Sequence, residues 1–277
     1  MKSRNNNKYQ IADRQLIQIA LEDMVLQPYN SKLIKDSLKF VLSWIRVKRI
    51  ILLPQELAEF ENKIDSNILN KITTIGLLGW SAYTIDDHIR DFDTEIKAKW
   101  VSNPISNILK NRMYQLINEV TPSKEISQKI YNIITEMESV NKLEEDKMFL
   151  NFKKMQHSHK SIGLIIPALL LFDKADRTIT DQENLFKFFA YFISARQISD
   201  DLTDLKDDLK FKKRTFVTEF ISKNKIKDLG DSFFISMTQR ILLDCKKAKI
   251  ISHKIYRGKT NLLRDLVSDY ELAVKSD

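Results

Sequence analysis

The sequence predicts an all-α protein, and three observations carry that reading. Apolar residues recur at helical rather than alternating spacing along almost the whole chain. Only 5 Gly and 5 Pro occur in 277 residues, few for a fold built on tight turns. No low-complexity linker or second composition regime interrupts the pattern. One large domain with a substantial core is therefore expected over residues 11–277, after a disordered N-terminus at residues 1–10.

The elements follow in order. Ile11 to Leu26 reads as an amphipathic helix ended near Pro28. Ser31 can cap a second helix that runs through Trp44 to about Leu53, with Pro54 stopping it. A helical region from Gln55 to about Thr94 carries Asp86-Asp87-His-Ile-Arg-Asp91 near its end. Asn103-Pro104 and Thr121-Pro122 punctuate the next helices, and a long helix from about Ser123 leads toward Phe152-Lys153. There Lys153, His157 and Lys160 share a face at i, i+4, i+7, followed at once by the apolar run Ile162–Phe172. A basic stripe beside a run that must be buried fits a pocket rim, and Gly163 and Pro167 weaken or kink the helix there. A loop from Asp173 to Asp181 precedes the next helix, and two further helices span roughly Asp228–Lys249 and Lys259–Val274.

The helix from Asp181 carries the stretch on which the chain turns, Gln197-Ile-Ser-Asp200-Asp201-Leu-Thr-Asp204-Leu-Lys-Asp207-Asp208-Leu209, with five carboxylates in nine residues. At roughly 100° per residue, Gln197 and the five aspartates fall within an arc of about 120°. Ile198, Leu202, Leu205 and Leu209 lie opposite, as a packing stripe. Asp200/Asp204 and Asp204/Asp208 are like-charge i,i+4 pairs, each unfavourable by roughly 0.2–0.5 kcal/mol, so a cation should compensate them. A solvated acidic face is the common reading of such a helix. Against it stands the second acidic segment, where Asp87 and Asp91 repeat the i,i+4 spacing of Asp200 and Asp204. Two such pairs facing each other would hold Mg²⁺, which usually takes one or two carboxylates plus substrate phosphates. The matching ligand is a diphosphate.

Upstream, Phe186, Phe189 and Ile193 extend the aspartate face, so the helix reads apolar below and acidic above, as a greasy tail with a charged head requires. Trp80 and Tyr83 share a face with Asp87 and Asp91. They are either ordinary core or the wall of an apolar pocket whose π-faces stabilise a cation. Lys210-Phe-Lys-Lys-Arg214 is a basic segment placed to cover a metal site, and Arg257 is a late polar candidate.

Composition excludes other classes. The single Cys245 rules out an internal disulfide and fits a reducing cytoplasm. No apolar run reaches the roughly 18 residues that span a bilayer, and the basic N-terminus lacks a signal peptide's apolar core. The net charge of +8, from 45 Lys+Arg against 37 Asp+Glu, raises nucleic-acid binding. The basic residues are scattered, however, and no nucleic-acid motif appears. An anionic substrate, or peripheral attraction to an acidic membrane surface, accounts for the excess as well.

These residues resemble the class I isoprenoid synthases, which comprise trans-prenyltransferases, squalene and phytoene synthases, and class I terpene cyclases. Gln197-Ile-x-Asp200-Asp201-x-x-Asp204 is similar to the second aspartate-rich motif of the prenyltransferases, and Asp204-x-x-Asp207-Asp208 to that of the squalene/phytoene branch. Asp200, Asp204 and Asp208 take the three metal-ligand places of the cyclases' second motif, with Asp in place of Ser/Thr and Glu. Asp86-Asp87-x-x-x-Asp91 matches the first motif in its longer-spaced form, and Lys160 stands where these enzymes keep a basic residue on the diphosphate. The likeness covers roughly Ile75 to Phe216.

The resemblance implies a single-domain helical bundle around a central apolar cavity, with the two acidic motifs facing each other at its mouth. It implies three Mg²⁺ ions with substrate bound, held by Asp86, Asp87, Asp91, Asp200, Asp201, Asp204 and Asp208. Lys153, His157, Lys160, Gln197, Arg214 and Arg257 would bind the diphosphate of an allylic prenyl substrate. Trp80, Tyr83, Phe152, Gly163, Phe189 and Ile193 would line the pocket. A homodimer is plausible on the same ground. The Gly-Gly-Lys-type segment with which chain-elongating enzymes bind isopentenyl diphosphate is missing, and Arg46–Arg49 is a degenerate stand-in at best. The cyclases' late Arg-Tyr pair is also absent in that order. The expected reaction is therefore cyclisation or quenching of the allylic cation. The alternatives are transfer to a second acceptor (isopentenyl diphosphate, a second prenyl diphosphate, an aromatic or a peptide) and a non-catalytic isoprenoid-binding or interaction protein on the same scaffold.

Overall fold

A computed structural model describes residues 5–22, 24, 28–61, 64–90, 101–121, 123–145, 156–257 and 260–276. Among them every regular element is helical, as the spacing of apolar residues predicts. The chain divides into two compact units, residues 1–128 with 166–176, and residues 129–165 with 177–277.

The first unit is built around α4 (Ser66–Arg90), which packs against α1 (Asn5–Leu21), α2 (Pro28–Ser43), α3 (Ile45–Ala58), α5 (Asn103–Val120) and α8 (Ile166–Lys174). A helix with neighbours on so many sides has little need for a polar face. Ile72, Ile75, Leu77, Leu78, Ala82 and Ile85 are accordingly buried, and Thr73 and Thr74 turn their hydroxyls back onto the carbonyls of Leu69 and Asn70. Asp65 caps the helix by accepting from the N–H groups of Asn67 and Ile68 at 2.9 and 3.0 Å. Two glycines let neighbours approach α4 closely. A Cβ on Gly76 would lie 3.0 Å from Pro167 Cγ on α8, and one on Gly79 would lie 3.1 Å from Met113 Sδ on α5.

Boundaries here differ from the sequence reading. α1 starts at Asn5, within the segment expected to be disordered. Trp44, in extended conformation, separates α2 from α3, while Pro54 lies inside α3 instead of ending it. A proline removes one i→i−4 hydrogen bond, and the buried contacts of Ile50 to Leu53 and Leu57 hold the helix through it.

The second unit is organised by two antiparallel helices, α9 (Ile179–Thr203) and α12 (Asp231–Tyr256). On α12, Phe233, Met237, Ile241, Cys245, Ala248, Ser252 and Ile255 recur at steps of three and four and are all buried. On α9, Leu185, Phe188, Phe189, Phe192, Ile193, Ala195 and Ile198 are buried, with the Phe188 and Phe192 rings stacked at 6.0 Å. Thr178 caps α9, accepting from the Asp181 N–H, so the expected loop from Asp173 shrinks to a few residues after α8. α13 (Leu262–Ser276) packs on α12, and its Tyr270 hydroxyl donates to the Ala195 carbonyl at 3.2 Å. α6 (Lys124–Glu145), α7 (Gln156–His159), a 3₁₀ turn at Ile162–Ile165, α10 (Leu205–Phe211) and α11 (Phe216–Lys223) complete the order. The helix weakening expected at Gly163 is that 3₁₀ turn. α11 was not foreseen. It opens on a capping box between Thr215 and Thr218.

Candidate functional site

The aspartate stretch occupies the C-terminal end of α9, the joint at Asp204, and α10. Asp204 sits at φ −91°, ψ 1°, the sparsely populated bridge region common at functional positions. The joint is a bend, not a break: the Asp204 N–H still donates to Asp200 O at 3.0 Å, and the Asp208 N–H to Asp204 O at 2.9 Å. The bend nevertheless divides the aspartates that the sequence places on one face. Asp200, Asp204 and Asp207 are exposed, whereas Asp201 and Asp208 are 7 % and 4 % exposed.

Asp201 is turned inward, where its Oδ2 accepts from the Val217 N–H at 3.4 Å. It anchors the first turn of α11, a use for a carboxylate that the helix dipole favours. Asp208, expected with Asp201 as a metal ligand, is likewise buried. The stripe opposite is cut short in the same way, since Ile198 and Leu205 are buried but Leu209 is 42 % exposed.

Beside α9, the turn at Lys160–Ser161 is held from two sides. Gln197 Nε2 donates to Ser161 Oγ at 3.3 Å, and Asn141 Nδ2 donates to the Lys160 carbonyl at 3.3 Å. Half-buried Lys160 is thereby fixed in a turn tied to α9 one helical turn before Asp200 and Asp201. This is the basic residue and the glutamine that the sequence singles out, brought together.

His157 departs from expectation. Its side chain is 2 % exposed, and its Nε2 lies 2.7 Å from Ser194 Oγ. The Ser194 hydroxyl donates onward to Asp244 Oδ2 at 2.7 Å, so Nε2–H is the donor to Ser194. Burial, followed by the positive charges of Arg240, His159 and Lys160, pushes the imidazole down to about 4. His157 is therefore a neutral tie between α7, α9 and α12, not a cation on a rim. Asp244 is fully buried beneath Arg240 and Lys247, whose nitrogens stand 3.6 and 3.7 Å from its oxygens. Sequence reasoning passed over Ser194 and Asp244. The signal was there: Asp244 adjoins Cys245 on the apolar stripe of α12, where a carboxylate needs a partner.

Two other candidate cations are also accounted for. Arg214 Nε pairs with Oε1 of buried Glu219 at 2.8 Å. Arg257 is exposed just past α12, in left-handed conformation at φ 48°. Arg177, just before α9, donates to Ile255 O at 2.8 Å and stacks on the Tyr256 ring at 4.7 Å. Arg257 thus lies at the N-terminal end of α9, about 35 Å along the helix from Asp200. That distance removes it from a diphosphate site at the aspartates. Phe189 and Ile193 are each 1 % exposed in the core below them, Phe189 edge-on to Phe188 at 5.3 Å, and Gly163 is half-buried.

In the first unit, Asp86 Oδ2 is ion-paired to Lys110 Nζ at 2.7 Å, and the same ammonium lies 4.7 Å from the Tyr83 ring centroid. Asp86 is thus neutralised within its unit, a face of Tyr83 already holds a cation, and of the two described carboxylates in this segment Asp87 is the exposed one. Trp80 is half-buried on α4. Asp91, Phe152 and Lys153 lie outside the described residues. An open groove of about 470 Å³ between α1 and α2, lined by residues such as Arg14, Ile17 and Lys35, includes none of the expected site residues.

Among the described residues no three His, Cys, Asp or Glu side chains converge as a metal cage. Mg²⁺ does not require one, because it keeps waters and takes one or two carboxylates plus substrate phosphate. Asp200 and Asp204, hard oxygen donors one turn apart at the negative end of a helix dipole, suit that pattern.

No protein-family model matches the chain, and no curated protein sequence does. Solved structures do. A candidate farnesyl-diphosphate synthase of Marinomonas sp. MED121 superposes with a TM-score of 0.61 at 14 % identity, covering 95 % of this chain and 96 % of that one. Heptaprenyl diphosphate synthase of Staphylococcus aureus superposes with a TM-score of 0.58 at 15 % identity, covering 100 % and 98 %. At such identities the likeness speaks for the fold. The chain shares the all-α fold of these two structures.

Proposed function

We propose that the chain is a Mg²⁺-dependent prenyltransferase that ionises an allylic prenyl diphosphate and joins the resulting cation to a second acceptor. The observation that carries this is local to the second unit: Asp200 and Asp204 stand exposed on successive turns, and Gln197 of the same helix secures the turn that bears Lys160. Both neighbours are described as prenyl diphosphate synthases, which supports joining over the cyclisation favoured by sequence alone.

When bound, Mg²⁺ supplies Lewis-acid polarisation of the diphosphate oxygens. Asp200 and Asp204 are the residues of the second unit that would hold it, and Asp87, at i,i+4 spacing with Asp91 in the sequence, is proposed as a Mg²⁺ ligand of the first unit. Lys160 offsets charge that develops on the leaving diphosphate as the carbon–oxygen bond breaks. Its fixed turn lowers the reorganisation needed at that moment. Ile193 and Phe189 keep the helix face below the carboxylates apolar, which favours the prenyl chain and excludes water. His157 takes no part in proton transfer, being neutral and committed to Ser194.

Incubation of the protein with geranyl, farnesyl or geranylgeranyl diphosphate and Mg²⁺, with and without isopentenyl diphosphate or another acceptor, tests the proposal. A longer or conjugated product that forms only with the acceptor present is expected. Hydrocarbon or alcohol from one substrate alone would instead establish cyclisation, the reading favoured by the missing Gly-Gly-Lys-type segment. Saturable binding of the diphosphate with no release from any substrate would mark a non-catalytic binding protein.

A further inference from the structure

The corner where α10 turns toward α11 combines features that seldom coincide on a solvated surface. Residues 209–213, Leu-Lys-Phe-Lys-Lys, are all exposed, and two of them are large and apolar: Phe211 at 57 % and Leu209 at 42 %. Over residues 205–213, four exposed lysines (Lys206, Lys210, Lys212 and Lys213) stand against one exposed carboxylate, Asp207. The corner is also fixed in shape. Lys212 closes α10 in left-handed conformation at φ 54°, and the Lys213 N–H donates to Asp208 O at 2.8 Å. Glycine or asparagine is the usual residue in that conformation, so a lysine there is kept at some conformational cost. Lys210 Nζ lies 5.0 Å from the Phe211 ring centroid, placing positive charge beside an outward aromatic ring.

We propose that this corner docks the protein on an anionic lipid bilayer. Phe211 and Leu209 enter the headgroup boundary while Lys206, Lys210, Lys212 and Lys213 lie against lipid phosphates. A membrane offers negative charge at its surface and hydrocarbon just beneath, which suits a corner that carries both exposed lysines and exposed apolar side chains. Single-stranded nucleic acid also takes lysines and an aromatic ring, but Leu209 has nothing to stack on a base. The inference goes beyond the catalytic reading and stands on different residues, so either can fail without the other.

The test is co-sedimentation of the full chain with vesicles of phosphatidylcholine alone and of phosphatidylcholine mixed with phosphatidylglycerol. Binding to the anionic vesicles only, weakened by added salt, is expected. Each lysine near the surface is worth about fivefold in partitioning, so Lys210→Ser with Lys212→Asn and Lys213→Ser should weaken binding about a hundredfold. Phe211→Ser should weaken it about tenfold. A control that removes three exposed lysines of α2, Lys32, Lys35 and Lys39, by serine substitution should retain binding. Equal loss in the control would show attraction by net charge alone and overturn the proposal. So would the absence of vesicle binding, or binding of a single-stranded RNA oligomer in its place that the corner variants abolish. Circular dichroism of each variant confirms that these exposed substitutions leave the helices intact.

Discussion

Ser194 shows how one hydroxyl joins three helices. It receives the His157 Nε2–H and donates to Asp244, so Ser194→Ala leaves both neighbours without that partner in a buried place. Loss of about 1–3 kcal/mol is expected, read as a lower urea midpoint. His157 also gives the protein an acid-sensitive point. In the unfolded chain it takes a proton near its ordinary 6.5, but in the folded protein it resists to about 4. The unfolded state therefore binds more protons between those values. Stability from this residue is full above about pH 6.5 and is lost as pH falls toward 4, by up to about 3 kcal/mol. His157→Gln, which keeps a donor toward Ser194, should flatten that part of the stability-versus-pH curve. An unchanged curve would show that His157 is not the titrating group. The same residue marks what a sequence pattern leaves open. Spacing put His157 on a face with Lys160, but only the partners on α9 and α12 decide that it is buried and neutral.

At the scale of elements, α4 and α9–α10 make opposite points. α4 was legible as a helix carrying carboxylates near its end, yet its glycines were silent until Pro167 and Met113 were seen against them. The Pro167 ring is stiff, so Gly76→Ala should cost about 1–3 kcal/mol by overpacking. The Met113 side chain can move, and an alanine is worth up to about 1 kcal/mol over glycine inside a helix. Gly79→Ala should therefore be neutral or stabilising, and thermal denaturation of the two variants checks the contrast. In α9–α10 the aspartates were legible but their directions were not. A rotation count assumes an unbent helix, and the bend at Asp204 leaves Asp200 and Asp204 outside while Asp201 and Asp208 turn in. The turn-ending segments were the hardest to read. α11 is eight residues long, set by Thr215 and Thr218 and not by a long apolar period.

For the whole molecule, the fold class was written in the near-continuous helical spacing and the scarcity of glycine and proline. The motifs resembled those of the class I isoprenoid synthases, and the superpositions with TM-scores of 0.61 and 0.58 bear out the all-α fold that the resemblance implied. Reaction type was less legible, because it rests on where a second substrate binds and no segment of this chain spells that site out. The proposal asks most of the exposed carboxylates. Asp204→Asn preserves size, and asparagine tolerates the bridge-region backbone at the joint, so it tests the charge without disturbing the fold. The most direct measurement is the initial rate of diphosphate release from an allylic prenyl diphosphate with acceptor, across a Mg²⁺ titration, for wild type, Asp204→Asn and Asp87→Ala. Release that requires Mg²⁺ and falls at least about a hundredfold in each variant, with helical circular dichroism unchanged, is the predicted result. Release at the wild-type rate in either variant, or with Mg²⁺ chelated, would contradict it.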